Sequence, residues 1–230
     1  MQDLSRWTPR PRPTNEPMRG SHVMILPFER ARHETALWEA FGSAQTNALL
    51  HHFGWPHMES ATELGGILQD RNENGGFITC VFAHPDSGEI MGMASYMRID
   101  ERNGVAEVGA VAHGAAMARS SAATEAQFLL ARRIFDLLGY RRYEWKLNNA
   151  NKASHRAARR LGFTFEGVFR QHQVKPYGNR DTAWYSIIDK EWPVVRSAFE
   201  QWLDPSNFER GGGQKRSLDS IRKDILEKGS

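Results

Sequence analysis

Apolar and β-branched runs along the chain alternate with turn sequences and with segments of helical periodicity. The runs predict strands at residues 23–28, 76–83, 89–100, 105–112, 143–147, 163–173 and 183–188. Pro85-Asp86-Ser87-Gly88 and Asn103-Gly104 are turn sequences between consecutive runs. They predict that the second, third and fourth strands form an antiparallel meander.

Apolar positions three and four residues apart predict helices at residues 29–41, 60–69, 121–138, 150–161 and 191–203. Ser60 and Glu63 have the spacing of a capping box at the second helix. Gly139 and Gly162 are placed to end the third and fourth helices. The order of elements predicts an α/β (α+β) fold, in which a mixed, mostly antiparallel central sheet carries helices on both faces.

The two ends of the chain differ in composition from its middle. Residues 1–16 are rich in Pro and Arg, which predicts a flexible, extended arm. Residues 17–204 form the predicted domain, and residues 205–230 form a polar tail that is predicted to be helical. Three apolar residues of the tail have helical spacing and suit a contact between two copies of the chain: Leu218, Ile221 and Ile225.

Charge and cysteine content exclude several classes of protein. The 230 residues include 30 Lys and Arg against 27 Asp and Glu, and the excess lies in the two ends. A neutral middle argues against broad binding to nucleic acid. Residues 141–160 are the exception, with seven basic residues against Glu144 alone, and form either a solvated helix face or a local anion site. The single cysteine, Cys80, excludes a disulfide scaffold.

No apolar run reaches the length of a membrane span, and residues 1–16 lack the apolar core of a secretory signal. We therefore expect a soluble, cytoplasmic protein that does not bind membranes. None of the nine histidines has metal-ligand spacing to a cysteine or a carboxylate, so we expect no metal.

The junction between the fourth strand and the third helix reads AHGAAMARSSAAT. Small residues at a helix start let an anion approach the free N–H groups and the positive end of the helix dipole. Arg119, Ser120 and Ser121 would add charge and hydroxyl donors. Helix capping by the serines is the structural alternative.

Several motifs together resemble the Gcn5-related N-acetyltransferase (GNAT) superfamily, and in particular its RimJ/RimL-type ribosomal-protein acetyltransferase branch. They are the opening segment 18–27 (MRGSHVMILP), Ala123-Thr124-Glu125-Ala126, Asn151-x-x-Ser154, Leu161-Gly162-Phe163 and Phe165-Glu166-Gly167-Val168 with the Asp181 strand. The resemblance covers residues 18–189 and implies acetyl-CoA as the acyl donor.

The resemblance also implies which residues hold acetyl-CoA. Backbone N–H groups near the end of the fourth strand would hold the pantetheine and the carbonyl oxygen, at Gly109, Ala110 and Val111. The helix start would hold the pyrophosphate, at Arg119, Ser120, Ser121, Ala122, Ala123 and Thr124. Asn151 and Ser154 would contact the pantetheine and the thiol, or would merely cap their helix.

Two departures from the family pattern bear on catalysis. The pyrophosphate loop of the family has Gln or Arg and Gly where this chain has Ala118 and Ser121. Many members have a Tyr that protonates the leaving thiolate, and Ala158 stands at its position. These departures put the affinity for acyl-CoA in doubt more than the fold.

Glu107 is the candidate base, because the resemblance places it where the thioester is exposed; the alternative is an ordinary cross-strand charge. Ser154 is the candidate proton donor to the thiolate. His113 is a weaker candidate base and is expected to lie at the surface. Trp55 and His57 are expected to line the acceptor pocket, and Glu144 to face the amine.

Three hypotheses for the function follow. The first is an acetyl-CoA-dependent N-acetyltransferase that acts on a protein N-terminus or a small amine by direct attack in a ternary complex. The second is a catalytically silent module of the same fold that binds CoA or a nucleotide. The third is an RNA- or ribosome-associated protein that uses residues 141–160 and the basic tail.

Overall fold

The computed structural model describes residues 4–175 and 178–229. Eight strands form one sheet: β1 (Met18–Arg19), β2 (Met24–Pro27), β3 (Ile78–Ala83), β4 (Ile90–Asp100), β5 (Val105–His113), β6 (Arg142–Asn148), β7 (Thr164–Lys175) and β8 (Gly178–Ile188). Their order across the sheet is β1-β2-β3-β4-β5-β6-β8-β7. Neighbouring strands are antiparallel except for β5 and β6, which run parallel.

Seven α-helices in the described part of the chain flank the sheet. They are α1 (Arg30–Ala40), α2 (Thr46–Leu49), α3 (Ala61–Glu73), α4 (Ser121–Arg132), α5 (Lys152–Arg160), α6 (Trp192–Leu203) and α7 (Leu218–Lys228). None of these helices is long and apolar enough to span a membrane.

Successive apolar side chains along the strands point to opposite faces, so both faces of the sheet are apolar. On one face, Leu37 of α1 and Leu68 of α3 pack in a cluster with Val81 and Met93. On the other face, α4 and α6 pack over a larger cluster, where Phe128 stacks on Phe199 with ring centroids 5.4 Å apart. The predicted fold, a mostly antiparallel mixed sheet with helices on both faces, is confirmed.

The structure corrects the sequence reading at several boundaries. The strand β1 is only two residues long, too short to show a period. The helix predicted at residues 121–138 is α-helical only to Arg132 and continues as a π-helical turn over Arg133–Leu137. β8 begins at Gly178 rather than Ala183, because its first residues extend beyond the apolar core. The predicted turn includes Pro176, which lies outside the described residues.

The N-terminal segment, predicted to be a flexible arm, is fastened to the domain over its described residues. Trp7 Nε1 donates to the carbonyl oxygen of Arg102 at 2.8 Å, and the Tyr140 hydroxyl donates to that of Pro11 at 3.1 Å. Prolines keep this segment extended, so its carbonyl oxygens are free to accept hydrogen bonds from the domain. The composition showed the extension but not the anchoring partners.

The C-terminal tail is helical as predicted, but its apolar face packs within the chain. Leu218 and Ile221 are each 1% exposed and join the core beneath α6. Arg222 of α7 donates to the carbonyl oxygens of Arg159 and Arg160, both at 3.2 Å. The face that was expected to contact a second copy of the chain is therefore covered by the chain itself.

Candidate active site

The parallel strands β5 and β6 pair over only three positions and then separate. The last pair is Glu107 with Glu144. Three residues further on, Ala110 has a φ of 49°, and the register of β5 against β4 shifts at this point. A bulge of this kind bends a strand and frees its backbone groups from the ladder. The bend of β5 opens a gap through the sheet.

The gap opens into a cavity of about 1630 Å³ that reaches both faces of the sheet. Its wall includes most of the predicted donor-binding residues: Gly109, Ala110, Val111, Arg119, Ser120, Ser121, Ala123, Thr124, Asn151 and Ser154. Ala122 packs into the core below α4 and contributes no side chain to the wall. Glu107 and Trp55 also lie in the wall.

The cavity has two halves of different construction. The helix half lies on the α4 side of the sheet and is lined by Ser120, Ser121, Thr124, Gln127, Ser154, Arg160 and Trp202. The hairpin half lies towards α3 and the β7–β8 hairpin and is lined by Phe53, Trp55, Arg71, Phe77, Arg98, Glu107, Gln173, Lys175 and Arg180.

The start of α4 in the helix half combines a cap with an anion-binding geometry. The Ser120 hydroxyl accepts from the N–H of Ala123 at 3.3 Å and donates to the carbonyl oxygen of Met117 at 2.7 Å, so this serine caps the helix. Ser121 is the serine of the pair left to face a ligand. Arg119 has a φ of 63° and supplies the curvature that a glycine would otherwise give the loop.

α4 also carries a side chain that the sequence reading missed. Gln127 is 4% exposed and lines the cavity, and neither its amide nitrogen nor its amide oxygen has a hydrogen-bond partner among the described residues. A buried amide without partners is costly unless a ligand or water supplies them. Gln127 follows Thr124 by one helical turn, and this spacing was the available signal.

The outer end of the helix half is built by segments far apart in the sequence. Arg160 donates from Nη1 to Thr124 Oγ1 at 3.1 Å and lies over the ring of Trp202, 5.0 Å from its centroid. Trp202 Nε1 donates to Gln214 Oε1 at 2.7 Å. Phe208 and Gln214 extend this wall of the cavity. The sequence reading placed no residue of the tail at the site.

The N-terminus of α5 holds Ser154 at the gap. Asn151 caps the helix, since its Oδ1 accepts from the N–H of Ser154 at 3.0 Å. The Ser154 hydroxyl accepts from Trp145 Nε1 at 2.9 Å, which leaves its own proton available to the cavity. Asn151 and Ser154 therefore form the helix cap and also lie in the cavity wall, where a bound donor can contact them.

Alternation along β6 separates an apolar row from an ionic row. Tyr143, Trp145 and Leu147 belong to the core on the α4 face. The residues between them, Glu144 and Lys146, therefore point to the opposite face. Glu107 points the same way as Glu144 and Lys146. The residues before and after it on β5, Ala106 and Val108, belong to the core on the α4 face, and successive side chains of a strand point to opposite faces.

Glu107 is buried and held by two cations. Arg98 Nη1 contacts both carboxylate oxygens at 2.8 Å, and Lys146 Nζ lies 3.1 Å from Oε2. Burial raises the pKa of Glu107 above its ordinary value, while Arg98 and Lys146 act in the opposite direction. The carboxylate thus lines the gap between the strands with a raised proton affinity, as a general base at this position requires.

Two of the predicted acceptor-side residues lie outside the cavity wall. Glu144 is buried in ion pairs with Lys146 at 2.6 Å and Arg142 at 2.6 Å. It supports the ionic row instead of facing the cavity. His57 is exposed and does not line the cavity. His52, on the short helical turn before Gly54, lies in the wall in its place.

His113, which was expected at the surface, lines the cavity at the end of β5. Its Nε2 is buried and has no hydrogen-bond partner among the described residues. Burial lowers the pKa of His113 to about 4, so the ring is neutral at physiological pH. The surface placement was wrong because β5 ends inside the cavity and not at the edge of the domain.

The hairpin half contains basic residues that no sequence motif predicted to lie at the site. Arg71 comes from the end of α3, Lys175 from the end of β7 and Arg180 from β8. Phe53 and Trp55 pack edge to face, with ring centroids 5.1 Å apart. Within the described residues, no group of three or more His, Cys, Asp or Glu side chains is placed to hold a metal ion.

The family model of the acetyltransferase (GNAT) domain matches residues 22–164. This chain belongs to the GNAT acetyltransferase family, whose members use acetyl-CoA. No curated protein sequence matches the chain.

Solved structures agree with this assignment. A GCN5-related N-acetyltransferase from Brucella melitensis is 39% identical, with a TM-score of 0.91 over 96% of this chain and 100% of that one. A probable GNAT-family acetyltransferase from Chromobacterium violaceum is 33% identical, with a TM-score of 0.78 over 84% and 96%. The ribosomal-protein-S5-alanine acetyltransferase of Vibrio fischeri is 14% identical, with a TM-score of 0.60 over 77% and 98%. The likeness to the RimJ/RimL branch is therefore distant and one of fold.

Proposed function

We propose that this protein transfers an acetyl group from acetyl-CoA to a primary amine by direct attack in a ternary complex. The observation that carries the proposal is the gap between β5 and β6, which joins the two halves of one cavity. A donor bound in the helix half and an amine bound in the hairpin half would meet at this gap. Such positioning supplies much of the rate enhancement in a two-substrate reaction.

The residues of the helix half fit acetyl-CoA. The start of α4 offers N–H groups, the Ser121 hydroxyl and Arg119 to a pyrophosphate. Gln127 offers a buried donor and acceptor that find no partner in the described part of the chain, which suits an amide of the pantetheine arm. Arg160 and Trp202 offer a cation and an aromatic ring at the outer end, where a nucleotide would lie. Acetyl-CoA supplies an acyl group activated as a thioester.

Glu107 acts as the general base in this proposal. It lies on the hairpin side of the gap and accepts a proton from the attacking amine nitrogen as the new N–C bond forms. Its raised pKa increases its proton affinity at the moment of attack. Arg98 and Lys146 hold the carboxylate in place.

Ser154 acts on the leaving sulfur of the thioester, and the bulge of β5 acts on its carbonyl oxygen. As the C–S bond breaks, the Ser154 hydroxyl donates its proton to the leaving sulfur and regains a proton from solvent, while Glu107 releases to solvent the proton that it took from the amine. The hydrogen bond from Trp145 stabilises the serine oxygen during the transfer. Backbone N–H groups near Gly109, Ala110 and Val111 stabilise the charge that develops on the carbonyl oxygen. Ala158 is fully buried and takes no part in the proton transfer.

The test combines binding with turnover. Acetyl-CoA at about millimolar concentration must raise the midpoint of thermal unfolding, because a ligand specific to the native state stabilises it. A panel of primary amines is then assayed for amine-dependent release of free thiol. A shift with turnover supports the proposal. A shift without turnover of any amine favours the silent binding module, and no shift contradicts both.

A further inference from the structure

The hairpin half of the cavity is rich in cations that have no carboxylate partner. Arg71, Lys175 and Arg180 form no ion pair within the described residues, although each lines the cavity. The sole carboxylate in the described part of the cavity wall is Glu107, and Arg98 and Lys146 already hold it. The protein therefore leaves a local excess of positive charge in this half.

The charges around this wall repel one another. Burial lowers the pKa of Lys175, and Arg180, Arg98 and Arg71 lower it further. Burial lowers the pKa of His172 as well, and its charged neighbours are again cations: Arg180, Arg98, Lys146 and Lys175. Because Arg71, Lys175 and Arg180 have no carboxylate partner among the described residues, an anion that enters the hairpin half would gain favourable interactions with several cations at once.

Polar atoms without partners lie at the same place. Arg71 Nε, His52 Nδ1 and Gln173 Oε1 are buried, line the cavity and have no hydrogen-bond partner among the described residues. The Arg71 guanidinium lies 6.0 Å from the ring centroid of Phe77, which packs beside it. A fixed guanidinium with a free donor matches the paired oxygens of a carboxylate or a phosphate.

We propose that the acceptor is an amine that also carries an oxyanion group, which Arg71, Lys175 and Arg180 bind while the amino group lies at Glu107. The proposal rests on the proposed acetyl transfer and names the chemical class of its second substrate. Phe53 and Trp55 line the same half and suit an apolar part of such an amine. Lysine- and arginine-rich peptide N-termini would be repelled.

Matched pairs of amines that differ only in the anion test this proposal. L-Phenylalanine is compared with its amide, and O-phosphoethanolamine with ethanolamine, so that the two pairs distinguish a carboxylate from a phosphate. We expect the anionic member of at least one pair to have a kcat/KM about 10- to 100-fold higher, the range of a charge-assisted hydrogen bond. Raised salt should weaken this preference. Equal rates within both pairs would overturn the proposal while leaving acetyl transfer intact.

Variants assign the preference to these residues. Arg71→Gln and Arg180→Gln should each reduce the ratio of kcat/KM between the anionic and the neutral member, and Arg71→Lys should retain part of it. Arg32→Gln is the matched control, since Arg32 is exposed on α1 and outside the cavity wall. Circular dichroism and thermal midpoints check that each variant is folded. A ratio that is unchanged in both glutamine variants would contradict the proposal.

A binding measurement keeps the two proposals separable. In the presence of CoA, O-phosphoethanolamine or L-phenylalanine should raise the thermal midpoint of the wild type more than the neutral partner does, and Arg71→Gln should abolish the difference. This result supports the anion site even if none of the four amines is turned over. Absence of a difference in the wild type, together with turnover of neutral amines, would reject the anion site alone.

Discussion

The two halves of the cavity are assembled in opposite ways. Most of the helix half comes from two short segments of sequence, 109–127 and 151–160, and relies on backbone groups, small residues and helix starts. The hairpin half takes one or two side chains from each of α3, β4, β5, β7 and β8, and aromatic rings from the segments that precede α3 and β3. A ligand site built from contiguous backbone suits a constant ligand, whereas a site built from scattered side chains can change one residue at a time.

This difference separates what each kind of substitution should do. A change in the helix half should lower the affinity for acetyl-CoA, whichever acceptor is used. A change among the cations of the hairpin half should alter the choice of acceptor while acetyl-CoA still binds. Glu107 lies where the halves meet and should affect turnover without affecting donor affinity.

The largest expected effect follows from Glu107→Gln, which removes the base and keeps the shape. We expect kcat to fall by about 10²- to 10⁴-fold, the usual contribution of general base catalysis. The thermal shift with acetyl-CoA should remain. In the wild type, the acid limb of the kcat/KM–pH profile should lie above the ordinary range of a glutamate, because burial raises the pKa of Glu107.

Glu166→Gln is the matched control for this change. Glu166 of β7 is linked to the same ionic row through Arg142, which pairs with both Glu166 and Glu144, but it does not line the cavity. Its loss should leave kcat within a few-fold of the wild type. Equal losses in the two variants would show that Glu107 acts through the ionic row and not as the base.

Ser121→Glu should have the next largest effect, on donor affinity. A carboxylate in the first turn of α4 favours the helix itself but repels a pyrophosphate, at a cost of about 1–4 kcal/mol for charges ~4 Å apart. We expect the affinity for acetyl-CoA, measured by calorimetry, to fall by at least about 10-fold while the unliganded protein keeps its thermal midpoint. Ala61→Glu makes the same change at the first residue of α3 and should leave the affinity intact.

Gln127→Leu sharpens the comparison further, because stability and affinity should change in opposite directions. Removing a buried amide without partners should raise the thermal midpoint of the unliganded protein. Losing its hydrogen bonds to the donor should lower the affinity for acetyl-CoA by about 5- to 100-fold, or ~1–3 kcal/mol. A fall in the unliganded midpoint would instead show that Gln127 supports the fold.

The smallest expected effect concerns His113. Burial lowers its pKa to about 4, below the ordinary 6.5, so between these values the unfolded chain binds a proton that the folded protein does not. Stability should therefore fall as the pH falls through this range. We expect His113→Leu to reduce the loss of urea midpoint between about pH 7.5 and about pH 5. His22→Leu, at an exposed position, should not.

The contiguous half of the site was the predictable one. Ser121 could be placed from a local pattern, because a helix start is fixed by a few neighbouring residues, whereas Asn151 and Ser154 were placed by the family resemblance. Glu107 could be placed from the family resemblance. Arg71, Lys175 and Arg180 could not, since Arg71 lies about 100 residues before the other two and meets them only through the topology of the sheet. His57 was misplaced for a different reason: the sequence of a loop does not show which of its histidines points into the cavity.

The fold followed the same rule. Strand and helix periods gave the order of elements and the faces of the sheet, because burial imposes those periods directly. Contacts made by backbone carbonyl oxygens, such as those that anchor Pro11, leave no trace in the pattern of side chains. The same holds for the carbonyl oxygens at the end of α5 that Arg222 holds.

The family model ends at residue 164, yet the cavity wall continues beyond it. Lys175, Arg180, Trp202 and Gln214 follow that boundary, and Arg12 precedes the matched region on the hairpin side. Flanking segments thus finish both openings of a cavity whose centre lies within the matched region. Exchange of these flanks alone could change the range of acceptors, because the matched region would still supply the centre of the site.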